Sequence, residues 1–124
     1  MRSNDDGEPS GTAGKPILEC LKNIPKSSFS KIVLAYEPVW AIGSNAVREV
    51  YPNECQEMML YIKKVVASIS SPNIAHSMRV IYGGSVNSNN SFELVEKGSV
   101  EGFLVGRDSL DAKKFIKIIE NSQK

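Results

Sequence analysis

Short apolar runs alternate with helical patterns along the chain from residue 31 onward. Residues 32–36 form a continuous apolar run of strand-forming side chains, which predicts a parallel strand buried on both faces. Residues 79–82 and 102–105 predict a second and a third strand. A helical pattern follows each run, so the predicted order is β-α-β-α-β-α. This order favours an α/β fold of parallel units, either a barrel or a doubly wound sheet, and three units are too few to close a barrel.

The clearest helical pattern covers residues 52–69 and begins at a proline. Its apolar side chains recur three or four positions apart, which predicts one buried stripe. The members of this stripe are Cys55, Met59, Ile62, Val66 and Ile69.

Two shorter helices are predicted after the second and third strands. Asn90 and Glu93 have the spacing of a capping box, and Gly98 is the expected stop of that helix. Ser109 is the expected N-cap of the last helix. The predicted buried stripe of the last helix consists of Leu110, Phe115, Ile118 and Ile119.

The N-terminal residues differ in character from the remainder. Residues 1–16 are rich in Gly, Pro, Ser and acidic or amide side chains, which disfavour regular structure. A short helical turn is predicted after Pro16, before Pro25 interrupts it. We therefore divide the chain into an irregular N-terminal segment, residues 1–23, and a β/α part, residues 24–124.

Composition and charge narrow the function classes. The chain has 124 residues, 41% of them hydrophobic, and a net charge of +1, so no charge excess suggests nucleic acid or a membrane surface. No apolar run approaches the ~18 residues of a membrane span, and the first twenty residues lack the apolar stretch of a signal peptide. We therefore expect a cytoplasmic protein. Cys20 and Cys55 lack the C-x-x-C spacing of a zinc site, so reduced thiols and no metal are expected.

Glu37 is the first candidate for chemistry. It follows the first predicted strand, at the carboxyl edge where parallel β/α folds build their active sites. Partial desolvation there would raise its pKa and suit it to act as a general base. On spacing alone, the alternative is a surface glutamate at a strand end.

Two glycine-bearing loops are the second candidate. Residues 82–86 and 105–110 each follow a strand and lead into a helix, so their backbone N–H groups could bind an anion. The alternative is a pair of tight turns in which Ser85 and Ser109 only cap helices. Because both loops lie at the same edge of the sheet, the pattern favours a phosphate site.

Three motifs resemble the triosephosphate isomerase family: AYEPVWAIG at residues 35–43, YGGSV at 82–86 and GFLVG at 102–106. The resemblance runs from about residue 24 to the C-terminus and corresponds to the last three β/α units of that family's barrel. It implies a partial TIM (β/α)8 barrel. It also implies interconversion of dihydroxyacetone phosphate and D-glyceraldehyde 3-phosphate through an enediol, in glycolysis and gluconeogenesis, without metal or cofactor.

The resemblance assigns roles to individual residues. Glu37 would be the catalytic base, and the segment that follows it would be a lid closing over the intermediate. The implied partners are a small phosphorylated triose and, for the complete family member, a second copy in a homodimer; nucleic acid and membrane are not among them. The implied lid hinge comprises Pro38, Val39 and Trp40, and the implied phosphate-binding residues are Gly43, Ser85, Gly106 and Arg107.

The chain departs from the family pattern in several places. Arg107 stands where the family usually has a second glycine, and Asp108 beside it would repel a phosphate unless it pointed away. The family's lysine, asparagine and electrophilic histidine belong to earlier units. His76 precedes the second strand and is expected to be an exposed loop residue. We therefore expect the isolated chain to be nearly inactive; the alternative function is a non-catalytic, self-associating phosphate-binding module.

A second resemblance is confined to the N-terminus. Residues 4–18, which include DDGEPSGTAGKPIL, resemble the signature of the YigZ/IMPACT family. This resemblance implies a junction near residues 19–25, as in a chimeric or truncated gene product.

Overall fold

A computed structural model describes residues 14–38 and 48–123 of the chain. Its strands are β1 (Val33–Tyr36), β2 (Arg79–Gly84) and β3 (Phe103–Val105). Its α-helices are α1 (Gly14–Leu21), α2 (Pro52–Ser68), α3 (Pro72–Ser77), α4 (Ser91–Gly98) and α5 (Ala112–Asn121). Among the described residues, 3-10 helices also cover Lys26–Lys31 and Arg107–Leu110.

The three strands form one sheet in the order β1-β2-β3, and β2 pairs with β3 in parallel. Tyr82 lies opposite Phe103 and Gly84 opposite Val105. At the start of the pair, the Val80 N–H donates to Glu101 Oε1 at 2.7 Å. The predicted alternation of strands and helices is therefore confirmed, and the arrangement is that of a partial barrel; α3 is an additional helix that the sequence pattern did not predict.

β1 is less buried than its sequence predicts. Val33 is 52% exposed, and burial alternates between exposed and half-buried positions along the strand. β1 is an end strand of a three-stranded sheet, and successive side chains of a strand point to opposite faces. Val33 and Ala35, which share one face, are exposed, so the prediction that this strand is buried on both faces is wrong.

The fold divides into two compact units. The first contains the described residues up to Leu34 together with Glu57–Arg79. Within it, Lys63 Nζ donates to the backbone carbonyls of His76 and Met78 at the end of α3. The buried side chains of this unit are Leu21, Phe29, Met58, Met59, Ile62, Val66, Ala75 and Met78.

Two corrections fall in this first unit. α1 confirms the helical turn predicted after Pro16, but the helix begins at Gly14, within the stretch 1–16 for which regular structure was not expected; Pro16 fits because the first helical turn needs no internal N–H donors. His76 is exposed, as expected, but it lies in α3 and not in a loop. Ser71 begins that helix by accepting a hydrogen bond from the Ile74 N–H at 3.2 Å.

The second unit contains the described residues of Ala35–Gln56 and Val80–Lys124 and carries the candidate site. Its core lies around β2, since Val80 and Tyr82 are fully buried. The other buried hydrophobic side chains of this unit are Val50, Cys55, Val86, Leu94, Val95, Val100 and Ile118.

α2 agrees closely with its sequence pattern. The helix ends at Ser68, one residue before the predicted end. Cys55, Met59, Ile62 and Val66 are each at most 3% exposed, which confirms the predicted stripe over these four positions. Ile69 lies beyond the helix and is half-buried.

α4 has the predicted ends, with Asn90 at the N-cap position and Gly98 as its last residue, but the predicted capping contact is absent. The Asn90 side chain does not cap α4; its Oδ1 accepts a hydrogen bond from the Asn87 N–H at 2.9 Å. The residue that follows Gly98 is Ser99, which adopts the left-handed conformation with φ of 61°. Gly98 is buried against the start of α2, since a Cβ there would lie 3.4 Å from the Cβ of Cys55.

The last helix begins later than predicted. Its N-cap is Asp111, whose Oδ1 accepts a hydrogen bond from the Lys114 N–H at 3.1 Å, while Ser109 lies in the preceding 3-10 helix. Leu110 is consequently outside α5 and is 89% exposed. Of the predicted stripe, only Ile118 is buried, and Ile119 is 47% exposed.

Candidate active site

Glu37 immediately follows β1 and reaches across to the end of β2. A Cβ built on Gly83 would lie 2.7 Å from Glu37 Oε2 and 2.8 Å from its Cγ. These separations are shorter than van der Waals contact, so this position of the carboxylate requires glycine at residue 83. Glu37 is exposed, and the partial desolvation expected from the sequence is therefore absent in this chain.

A cavity of about 450 Å³ lies at the carboxyl ends of β2 and β3. The structure brings together three of the sequence-predicted phosphate residues there: Ser85, Gly106 and Arg107. The remaining residues of the cavity wall are Glu49, Gly84, Val86, Asn87 and Asp108.

The loop after β3 presents its backbone at this cavity. Gly106 is exposed, and a Cβ added to it would meet no atom within 4 Å. Its carbonyl accepts hydrogen bonds from the Ser109 N–H at 3.0 Å and from the Ser109 hydroxyl at 2.6 Å. Since Ser99 is the only non-glycine residue with positive φ among those described, Arg107 adopts a backbone conformation open to all side chains.

The loop after β2 is fixed by asparagine side chains. Asn90 Nδ2 donates to the carbonyl of Ser85 at 2.7 Å. Asn87 Oδ1 accepts hydrogen bonds from the N–H groups of Asn89 and Asn90 at 2.8 and 3.0 Å. These contacts hold the backbone of Ser85 at the cavity and explain why Asn90 is not available to cap α4.

Glu49 is a cavity residue that the sequence analysis did not identify. Its Oε2 accepts a hydrogen bond from Asn87 Nδ2 at 2.8 Å. Asn87 was also not identified, and no local pattern could have found this pair because 38 positions separate them. Together with Asp108, Glu49 places two carboxylates in the wall that also contains Arg107.

Tyr82 lies behind these loops in the core. It is fully buried, and its ring centroid is 6.4 Å from that of Tyr36. Its hydroxyl has no hydrogen-bond partner of good geometry. The nearby Ser85 backbone lowers the pKa of Tyr82, but it is the weakest of the causes that act on that pKa. Burial is the main cause that raises the pKa of Tyr82, and the nearby Cys55, Tyr36 and Glu49 raise it further. Tyr82 therefore stays neutral at physiological pH.

The start of α2 is anchored by a bidentate ion pair. Arg48 Nη1 and Nη2 donate to the two carboxylate oxygens of Glu54 at 2.8 and 2.6 Å. Glu54 Oε1 also accepts a hydrogen bond from the Tyr51 N–H at 2.9 Å, and the guanidinium lies 4.5 Å from the Tyr51 ring centroid. The hydrogen bonds from Arg48 are the main cause that lowers the pKa of Glu54.

The remaining predicted site residues divide between described and undescribed parts of the chain. Pro38 is buried next to Glu37. Val39, Trp40 and Gly43 lie outside the described residues. Within residues 14–38 and 48–123, no cluster of three or more His, Cys, Asp or Glu side chains could hold a metal ion, and no helix is long and apolar enough to cross a membrane.

Comparison with known proteins identifies several similar chains. The triosephosphate isomerase from Entamoeba histolytica is 45% identical over 105 residues, which cover 84% of this chain and 40% of that protein. The triosephosphate isomerase from Mycobacterium avium is 41% identical over 110 residues, covering 83% and 41% of the two chains. For that of Coprinopsis cinerea the identity is 37% over 119 residues, covering 96% and 46%. The chain thus spans less than half the length of these relatives.

A family model described as triosephosphate isomerase matches residues 2–122. This match begins at residue 2, whereas the resemblance carried by the motifs begins at about residue 24. None of the comparisons shows the likeness of residues 4–18 to the YigZ/IMPACT family, and the division of the chain at residue 23 stays a prediction. The family match covers nearly the whole sequence, and the chain therefore belongs to the triosephosphate isomerase family.

Proposed function

We propose that this chain carries the catalytic base and the phosphate-binding loops of a triosephosphate isomerase. The reaction is the interconversion of dihydroxyacetone phosphate and D-glyceraldehyde 3-phosphate. One observation supports this most strongly: the Glu37 carboxylate at Gly83 and the cavity containing Ser85 and Gly106 both lie at the carboxyl ends of the strands.

The proposed base works by moving one proton. The Glu37 carboxylate takes a proton from the carbon next to the substrate carbonyl, and the electron pair of that C–H bond forms the double bond of an enediol. The carbonyl oxygen gains the negative charge and then a proton. The hydroxyl on the carbon that lost its proton then loses its O–H proton and becomes the new carbonyl, while the protonated Glu37 carboxyl returns a proton to the former carbonyl carbon. No atom is gained or lost overall, and no cofactor is needed.

The proposed phosphate site uses backbone donors. The loops that carry Ser85 and the Gly106–Arg107 peptide line the cavity, and each leads into a helical segment, so their backbone N–H groups are the proposed donors to the phosphate. The Arg107 guanidinium contributes the positive charge of the wall. By family resemblance, Gly43 adds an N–H donor, with Pro38, Val39 and Trp40 forming the lid hinge.

The isolated chain is proposed to be a poor catalyst. The oxyanion that forms during proton removal needs a hydrogen-bond donor, and the family's lysine and histidine belong to units that precede this part of the barrel. We also propose a cytoplasmic location and, for the complete barrel, a homodimer, both from family resemblance alone.

The test is a full-length chimera. Residues 24–124 replace the matching part of the Entamoeba histolytica relative, and isomerase activity is compared for Glu37 and for Glu37→Gln. Loss of a general base lowers the rate by about 10²- to 10⁴-fold, and we expect a loss in that range. Glu96→Gln, a change at another exposed carboxylate, is the matched control and should have no effect. A Glu37→Gln chimera with unchanged activity would overturn the proposal.

Exposed apolar side chains favour a second candidate, a self-associating module without catalytic activity. Leu104, Leu110, Ile116 and Ile119 are between 46% and 89% exposed in the second unit. Exposed apolar surface of this kind is what a self-associating module would bury. Sedimentation of the chain at several concentrations tests this candidate, because a monomer at every concentration would exclude it.

A further inference from the structure

We propose that Glu49 is a positioning residue for the phosphate cavity. Its carboxylate, acting through Asn87, holds the loop after β2, residues 85–90, in the conformation that lines the cavity. In this role Glu49 acts on the loop and not on the ligand. The inference rests on the proposed function, since it takes the cavity of Ser85 and Gly106 as the phosphate site.

A hydrogen bond connects Glu49 to this loop. Asn87 Nδ2 donates to Glu49 Oε2 at 2.8 Å. Both residues line the cavity, and Asn87 is half-buried. A hydrogen bond to a carboxylate is stronger than one between two neutral groups. The contact therefore holds the side chain of Asn87 at the wall from outside the loop.

Asn87 in turn organises the backbone of the loop. Its Oδ1 accepts hydrogen bonds from the N–H groups of Asn89 and Asn90 at 2.8 and 3.0 Å, and its own N–H donates to Asn90 Oδ1 at 2.9 Å. Asn90 Nδ2 donates to the Ser85 carbonyl at 2.7 Å. Because a peptide unit is planar, this bond sets the orientation of the whole unit that joins Ser85 to Val86, two residues of the cavity wall.

Glu49 is itself anchored at the start of α2. Arg48 Nη1 donates to the backbone carbonyl of Glu49 at 2.9 Å, and both Nη atoms of Arg48 donate to Glu54, in the first turn of the helix. The next residue, Val50, is buried in the core. A chain of contacts thus leads from α2 through Glu49 to the loop.

Asn121, on α5, holds the same loop at a different point. Its Nδ2 donates to the Ser88 carbonyl at 3.0 Å and to the Ser91 hydroxyl at 3.2 Å. The described residues of the cavity wall include Asn87 but not Ser88 or Ser91. Glu49 is therefore the anchor that acts directly on a residue of the wall.

The experiment measures binding of glycerol phosphate to the complete 124-residue chain by NMR titration. Glu49→Gln and Glu49→Ala both remove the carboxylate charge, so the effect of that charge on the bound anion is lost equally in the two variants. Only Glu49→Gln retains a side-chain oxygen that can accept from Asn87. We expect Glu49→Ala to bind roughly three- to tenfold more weakly than Glu49→Gln, as for the loss of one hydrogen bond.

A second set of variants reverses the direction of the hydrogen bond. Asn87→Asp keeps an acceptor for the loop N–H groups but places a second carboxylate against Glu49, so it should weaken binding. Combining Asn87→Asp with Glu49→Gln restores a donor and an acceptor, and most of the affinity should return. Combining it with Glu49→Ala gives the same charge without the donor and should not restore binding. Glu96→Ala, at an exposed carboxylate of α4, is the control and should bind as the unchanged chain does.

The outcomes are distinguishable. Weaker binding in Glu49→Ala than in Glu49→Gln, at equal melting temperatures and with rescue in the reversed pair, supports the inference. Equal affinities in these two variants would overturn the role of Glu49 and leave the phosphate site intact. Weaker binding with a lower melting temperature and no rescue would also overturn it, since it would indicate a general loss of structure. If the unchanged chain does not bind glycerol phosphate, the phosphate site and this inference both fail.

Discussion

The carboxylate of Glu37 occupies the space in which Gly83 would carry a side chain. A Cβ at residue 83 would lie 2.7 Å from Glu37 Oε2 and 3.1 Å from its Cδ. The two residues lie at the ends of neighbouring strands, β1 and β2. The glycine therefore sets the position of the proposed base, although it has no functional group of its own.

Gly83→Ala should displace the Glu37 carboxylate without unfolding the protein. The atoms that must move belong to the end of a flexible, exposed side chain, so the change in unfolding free energy should stay below about 1 kcal/mol. In the full-length chimera, a shift of about 1 Å in the base should lower activity on the order of 10²-fold. Steady-state kinetics and thermal melting of the two chimeras check this.

The control for this change is Gly102→Ala, which lies outside the cavity. A Cβ there would lie 2.9 Å from Ile81 Cγ2. Gly102→Ala therefore introduces a similarly close contact, but with Ile81 and not with Glu37. We expect Gly102→Ala to affect melting more than activity. Full activity in the Gly83→Ala chimera would show that Gly83 does not position the base.

Glu54→Gln should destabilise the chain near neutral pH and not in acid. Its hydrogen bonds with Arg48 lower the pKa of Glu54 in the folded state relative to the unfolded state. Such a group stabilises the fold above its unfolded pKa, about 4.3, and this stabilisation is lost as the pH falls through the lower folded pKa. Urea unfolding of both proteins from neutral to acidic pH measures the difference.

The matched control is Glu93→Gln. Glu93 lies 3.8 Å from Lys97 in a well-exposed pair, and exposed pairs contribute little to stability. Its unfolding free energy should therefore follow that of the unchanged chain across the same pH range. A stability difference for Glu54→Gln that persists at low pH would contradict the account of the Arg48–Glu54 pair.

Tyr82→Phe should leave stability unchanged or raise it. The Tyr82 hydroxyl is buried without a well-placed hydrogen-bond partner, and burying such a group costs about 1–3 kcal/mol. Burial also raises the pKa of Tyr82, so the unchanged chain should lose stability as the pH rises above the usual tyrosine pKa of about 10. Tyr82→Phe should lose less over that range. Destabilisation by more than about 1 kcal/mol at neutral pH would show that the hydroxyl has a partner.

The two cysteines should react at very different rates. Cys20 is exposed, whereas Cys55 is fully buried and burial raises its pKa to about 12. Because the thiolate is the reactive form, a thiol reagent should label Cys20 rapidly and Cys55 only after unfolding. Cys20→Ser should remove the rapid reaction. Rapid labelling of that variant would contradict the burial of Cys55.

The strands were predictable because a buried strand leaves a local signal, a short apolar run. The exposure of Val33 and Ala35 on β1 was not, since it depends on what packs against that face of the sheet and not on the strand's own residues. The start of α5 was also ambiguous, because Ser109 and Asp111 are both good N-caps two positions apart; the 3-10 helix Arg107–Leu110 decides in favour of Asp111.

The candidate site was predictable only where its residues belong to motifs. Ser85, Gly106 and Arg107 follow apolar runs in glycine-bearing loops, and the structure brings them to one cavity. Glu49 and Asn87 belong to no motif and meet across 38 positions, so only the folded chain reveals them. The negative charge of the cavity wall is therefore a property of the tertiary structure.

The central claim, that Glu37 is the proton-transferring base, is tested most directly by isotope exchange. The full-length chimera converts dihydroxyacetone phosphate in heavy water, and deuterium at the carbon that receives the proton is measured by mass spectrometry. With Glu37 present, the product should carry solvent deuterium, because a carboxylate that has taken the substrate's proton exchanges it with water. With Glu37→Gln, the rate of incorporation should fall by about 10²-fold or more. Incorporation at an unchanged rate in that variant would contradict the account.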